Sequence, residues 1–341
     1  MKPLIKYPGG KDKELKIIRP NIPRHINNYY EPFVGGGAVL WSLNLGNYKY
    51  INDISQDLIN FYICVQVGDA EFYDVLEQWN TRLHNATIDA HEYMEDISEA
   101  FWNNEELRFV DPDLNDCLLH KFKHIHKKAS KNNGVIEAFE DNIEAAFKQV
   151  VYTRARTEFN THREFDGRRA ALYVLMRQYG FSGMFRYNAD GNFNIPYGGI
   201  PYNDKYLDEK IAIMRGDEVQ EVMHNTVLGN EDFQMFMMQY PPHAGDFIFV
   251  DPPYDTTFSS YDNIAFDRLD QYRLSHYLIN TCPANWMVVI KATDYIRQLY
   301  PNNQACANGG VINIIEFDKK YDVCMKGRND QHCEHLLIRN Y

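Results

Sequence analysis

Asp251 closes the run Phe247-Ile-Phe-Val250 and is followed at once by Pro252, Pro253 and Tyr254. A carboxylate there can accept hydrogen bonds from a reacting group, and the tyrosine offers a face for stacking. Four apolar residues, two aromatic and two β-branched, suit a strand covered on both faces. Pro252 cannot donate to a sheet ladder, so the strand must stop at Asp251. In parallel α/β sheets, ligands bind in the crevice beyond the carboxyl ends of the strands, which is where Asp251 and Tyr254 fall. The plainer reading is a proline turn with a solvated aspartate, and this segment alone does not choose between the two.

A second constellation lies near the start of the chain. In "YYEPFVGGGAVL", Gly35, Gly36 and Gly37 follow a strand-like piece and precede a helix-like one, where missing side chains let a ligand approach the backbone. Asp53 follows the strand-like "YKYIN", where an acid can accept both hydroxyls of a ribose. The pair suits either a nicotinamide dinucleotide or S-adenosylmethionine. The loop is not G-x-G-x-x-G, and "PGGKDK" lacks the spacing and the Ser/Thr of a Walker A loop.

Three zones of the chain must position these residues. Through about residue 66 the pattern is βαβα, with "AVLWSLNL" and "SQDLINFYICVQV" as helices. Residues 67–215 begin with helical periodicity in "FYDVLEQWNTRL", "EDISEAFW" and "IEAAFKQVVYTRARTEF". An apolar helix then gives way to a hairpin-like segment turning at Ala189-Asp190-Gly191. From "DFIFVDPPY" onward the βα rhythm resumes through "RLDQYRLSHYLI", "WMVVI" and "DYIRQLY", ending in the strands "VINIIEF" and "HLLIRNY". The expected arrangement is an α/β domain formed by residues 1–66 and 216–341, interrupted by an inserted, mostly helical domain of residues 67–215.

The 341 residues are 45% hydrophobic and 14% aromatic, enough for a sizeable core. No apolar run approaches the ~20 residues that span a bilayer, and the start lacks the apolar stretch of a signal peptide. Six scattered cysteines without a C-x-x-C pair fit reduced thiols in the cytoplasm. Cys324, His332, Cys333 and His335 match no standard zinc spacing, and no metal is expected. The formal charge of −12 argues against a nucleic-acid partner only until its distribution is examined. Residues 69–116 hold 14 acids against Arg82 and Arg108, which accounts for the whole excess. Basic residues gather in 1–50 and in "HKFKHIHKKASK", residues 120–131, either a phosphate-touching run or a solvated face.

Taken in order, "KYPGGK" (Lys6 to Lys11), "EPFVGGGAV" (Glu31 to Val39), "RQYGFSGMFRYNADGNFNIPYG" (Arg177 to Gly198) and "VDPPY" (Val250 to Tyr254) resemble the Dam-type adenine DNA methyltransferases in their alpha-group arrangement. The resemblance covers both ends and the middle of the chain, and only loosely residues 67–165. It implies a Rossmann-like class I methyltransferase sheet with an inserted, mostly helical DNA-recognition domain carrying a β-hairpin. It also implies S-adenosylmethionine as cofactor and site-specific transfer of a methyl group to the exocyclic amine of an adenine flipped out of double-stranded DNA. A GATC-type site and a cognate restriction enzyme are further implications.

By the same resemblance Tyr7, Lys11, Asp53 and Asp251 contact the cofactor, with Glu31, Phe33, Gly35 and Gly37 shaping its pocket. Asp251, Pro252, Pro253 and Tyr254 form the catalytic set, and Phe181, Ser182, Met184, Arg186, Asn188 and Pro196 contact DNA. The chain departs from the family in two places. Lys291-Ala292-Thr293-Asp294 stands where a Ser-Asn pair is common, and Phe181-Ser182 replaces the Tyr-Asn of some members. An adenine amine is a poor nucleophile because its lone pair is delocalised; Asp251 and the carbonyl of Pro252 can each accept one of its hydrogens and draw the nitrogen toward tetrahedral geometry. A carbon-5 cytosine enzyme would need a Pro-Cys pair, and the chain has only Cys282-Pro283, in reverse order. Outside the resemblance, a cytosine exocyclic-amine methyltransferase, a nicotinamide-dependent oxidoreductase and a DNA-binding module without catalysis stay open. The oxidoreductase leaves "DPPY" without a purpose, and the intact tetrapeptide opposes loss of catalysis.

Overall fold

The computed structural model describes residues 1–105, 109–132, 135–254, 266–320 and 332–341, with the side chains of 319, 320, 332 and 333 excepted. The chain forms two compact units. One comprises Met1–Pro3, Tyr7–Tyr62 and Asp217–Tyr341, and the other comprises Leu4–Lys6 and Ile63–Gly216.

The first unit is built on a seven-stranded sheet. In chain order its strands are β1 (Tyr29–Glu31), β2 (Lys49–Asn52), β3 (Thr226–Gly229), β4 (Phe247–Val250), β5 (Asn285–Lys291), β6 (Asn313–Lys320) and β7 (His332–Arg339). They lie in the order β3-β2-β1-β4-β5-β7-β6. β1 to β5 pair in parallel, and β7 runs antiparallel between β5 and β6. This mixed α/β sheet with its reversed β7 is consistent with the class I methyltransferase fold. β4 is buried along its whole length, as its unbroken apolar run requires. Trp286, Val288 and Ile290 of β5 pack with Leu274, Leu278 and Ile279 of the helix Arg268–Asn280 on one face.

The chain winds from β1 toward β3 on one side and from β4 toward β6 on the other. The neighbours β1 and β4, in register at Tyr29 with Phe247 and Tyr30 with Ile248, are where the winding reverses. The crevice past their carboxyl ends is the expected ligand site of such a sheet.

β3 and the helices Asp208–Arg215, Asp217–His224 and Phe233–Gln239 have no counterpart in the sequence reading. Thr226–Gly229 is short and only its first residue is buried, so it shows neither an apolar run nor an alternation. It pairs as the edge strand beside β2, and tertiary contact supplies what local pattern lacks.

The second unit is largely helical. Ala86, Ala90, Ile97, Leu118, Ile143 and Phe147 form a core shared by the helices Ala70–Glu92, Met94–Asn103, Pro112–Lys131 and Phe139–Thr161. The basic run is the carboxyl half of Pro112–Lys131, with Ile125 and Ala129 buried and Lys123, Lys127 and Lys128 exposed. The hairpin-like segment contains two isolated antiparallel bridges, Gly180 with Tyr197 and Tyr187 with Phe193, rather than continuous strands.

Candidate active site

The loops that follow β1, β2 and β4, together with the amino-terminal Tyr7–Lys11, line one cavity. Tyr7, Lys11, Glu31, Phe33, Gly35, Gly37, Asp53 and Asp251–Tyr254 all border it. Glu31 ends β1 and Asp251 follows β4, so the winding reversal itself brings two carboxylates to the crevice.

The glycine loop is fastened to the next strand. Val34 N–H donates to the Asn52 carbonyl at 2.9 Å, and Gly37 N–H donates to that of Val34 at 2.7 Å. Gly37, at φ 68°, caps the helix Ala38–Leu43 from the left-handed region, and a Cβ there would lie 2.8 Å from Trp41 Nε1. Both constraints call for glycine. Asp53 is aimed by two backbone donors, Gly35 N–H to Oδ2 and Ser55 N–H to Oδ1, each at 3.0 Å.

Asn52, which the sequence reading passed over, is a buried linchpin. Its Nδ2 donates to the carbonyls of Pro32 (3.1 Å) and Glu231 (3.0 Å), and its Oδ1 accepts from Glu231 N–H at 3.0 Å. The loops after β1, β2 and β3 are thereby joined by one side chain. Glu231, Asp232 and Phe233, reached through the unforeseen β3, also line the cavity. Phe33 lies 5.5 Å from Phe233 and 5.4 Å, edge-on, from Phe266, which makes one wall aromatic.

Lys11 is only 2% exposed and reaches Asp251 Oδ1 in a close ion pair. The same ammonium donates to the Gly9 carbonyl at 3.1 Å and to the Tyr254 hydroxyl at 3.3 Å. It therefore faces the acid and the aromatic of the tetrapeptide, a more specific placement than a general cofactor contact. Glu31 is 2% exposed and accepts from the Tyr29 hydroxyl at 2.7 Å. Burial, reinforced by the charge of Asp251, pushes its carboxyl up to about 8, against the opposing pull of the Tyr29 hydrogen bond and of Lys11. Tyr254 also meets the buried His335 edge-on, ring centroids 5.6 Å apart. The supposed Cys324 cluster cannot be placed, because Cys324 and the side chains of His332 and Cys333 lie outside the described residues. Thr293, in the stretch that departs from the family, caps the helix Asp294–Leu299 through Ile296 N–H at 3.2 Å.

Among the described lining residues, Glu31, Asp53, Glu231, Asp232, Asp251 and Asp270 are acidic and Lys11 alone is basic. Lys11 pairs with Asp251, Arg273 pairs with Asp232 and Asp270, and Glu31 is largely protonated at neutral pH. The residual charge of the lining is therefore modest and favours a cationic over an anionic ligand only mildly.

The segment expected to contact DNA belongs to the second unit. Phe185 is anchored against Phe193 (4.8 Å) and Tyr173 (5.3 Å), with the Arg177 guanidinium 3.8 Å from its ring centroid. Phe181, 48% exposed, and Ser182, at φ 54°, stand at a single 3₁₀ turn whose Phe181 N–H donates to the Pro196 carbonyl at 2.9 Å. Arg186 is exposed, with Nε donating to Asn194 Oδ1 at 3.3 Å. Asn188 builds the turn, its Oδ1 accepting from Asp190 N–H (3.1 Å) and Asn192 N–H (2.9 Å). Met184 and Asn188 are half-buried and Pro196 is exposed.

A class I methyltransferase sheet with an acid-Pro-Pro-Tyr turn at its winding reversal defines a class of amine-methylating enzyme. The chain matches the model of the D12 class N6 adenine-specific DNA methyltransferases over residues 7–134 and 100–323, and it belongs to that family. It is 25% identical to the type II methyltransferase M.CviBI of Paramecium bursaria Chlorella virus NC1A, with 100% of both chains covered. It is 32% identical to the retron Ec67 DNA adenine methylase of Escherichia coli over 57% of this chain and 65% of that one. Against the DNA adenine methylase of Vibrio cholerae serotype O1 the identity is 23% over 95% of this chain and 91% of the relative. The protein is thus an adenine-specific DNA methyltransferase, and the cytosine alternative is set aside.

Proposed function

We propose that the methyl donor is S-adenosylmethionine and that the target adenine enters the cavity extruded from duplex DNA. The observation that carries this reading is the pairing of a predominantly acidic, aromatic-walled cavity with Asp251 and Tyr254 at its edge. S-adenosylmethionine, when bound, supplies an electrophilic methyl group on a sulfonium centre. Asp53, already oriented by Gly35 and Ser55, accepts the ribose hydroxyls, the aromatic wall formed by Phe33 and Phe233 offers an apolar surface to the cofactor's adenine ring, and Glu31 faces the cationic part.

The chain's own chemistry is positional. Asp251 and the Pro252 carbonyl accept the two hydrogens of the target amine, localising the lone pair that forms the new N–C bond. Asp251 is then the nearest base for the proton the nitrogen loses. Lys11 balances the charge on Asp251 and holds the Tyr254 hydroxyl, so that the ring keeps its face to the target base. The second unit, through Arg186, Phe181 and Ser182, reads the DNA. A cytoplasmic location and a cognate restriction enzyme belong to the same reading, supported by the scattered cysteines and by relatives named type II methyltransferases. The test is tritium transfer from methyl-labelled S-adenosylmethionine to duplex DNA with nucleoside analysis. Label in N6-methyladenine is expected; absence of transfer from this donor overturns the cofactor assignment.

A further inference from the structure

We propose that Gln271 is a positioning residue for the Asp251–Tyr254 turn, acting through the carbonyl of Pro253. This rests on the reading that Asp251 and Tyr254 receive the target adenine.

The helix Arg268–Asn280 buries Gln271, Leu274, Ser275, Leu278 and Ile279, the regular stripe of a core-facing helix. Gln271, 1% exposed, occupies the first position of that stripe, where the pattern calls for an apolar side chain. Its Nε2 donates to the Pro253 carbonyl at 2.7 Å, across 18 residues of chain. Among the described residues its Oε1 has no partner. A buried amide at such a position loses its hydration, so the bond to Pro253 rather than packing alone accounts for the choice. The amide cannot turn over, because its oxygen would then face the carbonyl of Pro253.

Two consecutive prolines remove two N–H groups, so this turn has fewer backbone donors of its own than an ordinary one. Gln271 supplies a side-chain donor to the carbonyl of the Pro253–Tyr254 peptide, and the orientation of that plane sets the direction in which the Tyr254 ring leaves the backbone. The donor is delivered from a firm base. Asp267 and Asp270 form a capping box at the helix start, and Arg273 joins Asp270 (2.6 Å), Asp232 (2.9 Å) and Gln234 (2.9 Å). Leu274, Leu278 and Ile279 root the helix in the core. Tyr254 is thereby held at both ends, by Gln271 through its backbone and by Lys11 through its hydroxyl.

The test compares Gln271→Met, which keeps the shape and loses the donor, with Gln271→Glu, whose carboxyl donates only when protonated. Gln271→Met is expected to lower kcat by about tenfold or more. The affinity for S-adenosylmethionine, read by calorimetry, and the Tm should stay close to wild type. Gln271→Glu is expected to turn over faster than Gln271→Met at the acid end of the working range and to lose that advantage as pH rises. A kcat within twofold of wild type for Gln271→Met overturns the assignment. So does a Gln271→Glu variant as slow as Gln271→Met at low pH. The underlying reading fails separately: if Asp251→Ala keeps wild-type turnover, the turn is not the reaction site, whereas an inactive Asp251→Ala beside a fully active Gln271→Met rejects Gln271 alone.

Discussion

The cavity proposed for methyl transfer and the segment proposed to read DNA present opposite answers to the same problem of holding side chains in place. In the cavity Lys11 and Glu31 are each 2% exposed, and the half-buried Asp53 is aimed by two backbone N–H groups. In the segment from Phe181 to Pro196 the buried residues are apolar anchors such as Phe193 and Ile195, and Phe181 and Arg186 face solvent. Chemistry on a weak nucleophile needs acceptors that do not reorganise, which burial supplies. Reading a sequence needs side chains that can reach a groove, which burial would forbid. Substitutions in the first region should therefore change turnover or cofactor affinity, and those in the second should change which DNA is chosen.

The largest expected effect is at Asp251. Asp251→Ala removes the carboxylate that accepts the amine hydrogen and leaves the buried Lys11 ammonium without its close partner. By analogy with the loss of a preorganised charged contact, turnover should fall by ~10²–10³, with duplex binding largely kept. Single-turnover rates measure this, and a variant retaining more than about a tenth of wild-type turnover would remove Asp251 from its role.

How much of this was visible in the residues depends on distance along the chain. The β4 run with its Asp-Pro-Pro-Tyr ending and the glycine loop with Asp53 are local patterns, and they emerge in one cavity. Asn52 and Gln271 were invisible because each acts on backbone remote in sequence, at 179 and 18 residues' separation. An asparagine at a strand end and a glutamine in a helix carry no such signal by themselves, although an amide on a mostly apolar stripe is a clue. β3 was lost for a different reason, since half-exposed Thr226–Gly229 owes its state to pairing with β2. Lys11 was assigned to the cavity from the family motif, but its direct hold on Asp251 and Tyr254 needed coordinates.

A smaller, graded effect is expected from Glu31, and it sharpens what burial does in the cavity. With its carboxyl held near 8 rather than its ordinary 4.5, the folded protein prefers the protonated acid. The stability this confers is fully present below pH 4.5 and is lost as pH climbs through about 8. The groups that face the carboxyl are Tyr29, Asp251, Lys11 and the backbone N–H of Leu40. A cationic cofactor favours the ionised form, so binding should expel close to one proton near pH 7 and tighten by up to about tenfold per pH unit between 6 and 8. Calorimetry in buffers of different ionisation enthalpy reads the proton directly. Glu31→Gln should bind with no proton release and a flat profile, and a wild-type protein without proton release would show that Glu31 does not face the cation.

The smallest expected effect lies in the second region, where the comparison is most easily broken. Arg186 is the exposed arginine of the recognition segment, and Asn194 steadies its guanidinium through Nε without closing off the remaining donors. That geometry leaves the terminal N–H groups able to meet the two acceptors of a guanine edge in the major groove. Arg186→Ala should then cost ~1–3 kcal/mol of discrimination at one base pair. Cofactor affinity should be unchanged, since the side chain belongs to a different compact unit from the cavity. The measurement is the methylation rate on oligonucleotides carrying GATC and each single-base variant of it. A variant that becomes tolerant at one position supports base reading by Arg186. A uniform loss across the set, with no position relaxed, would mean that the arginine only grips the backbone and that the exposed region is not where sequence is read.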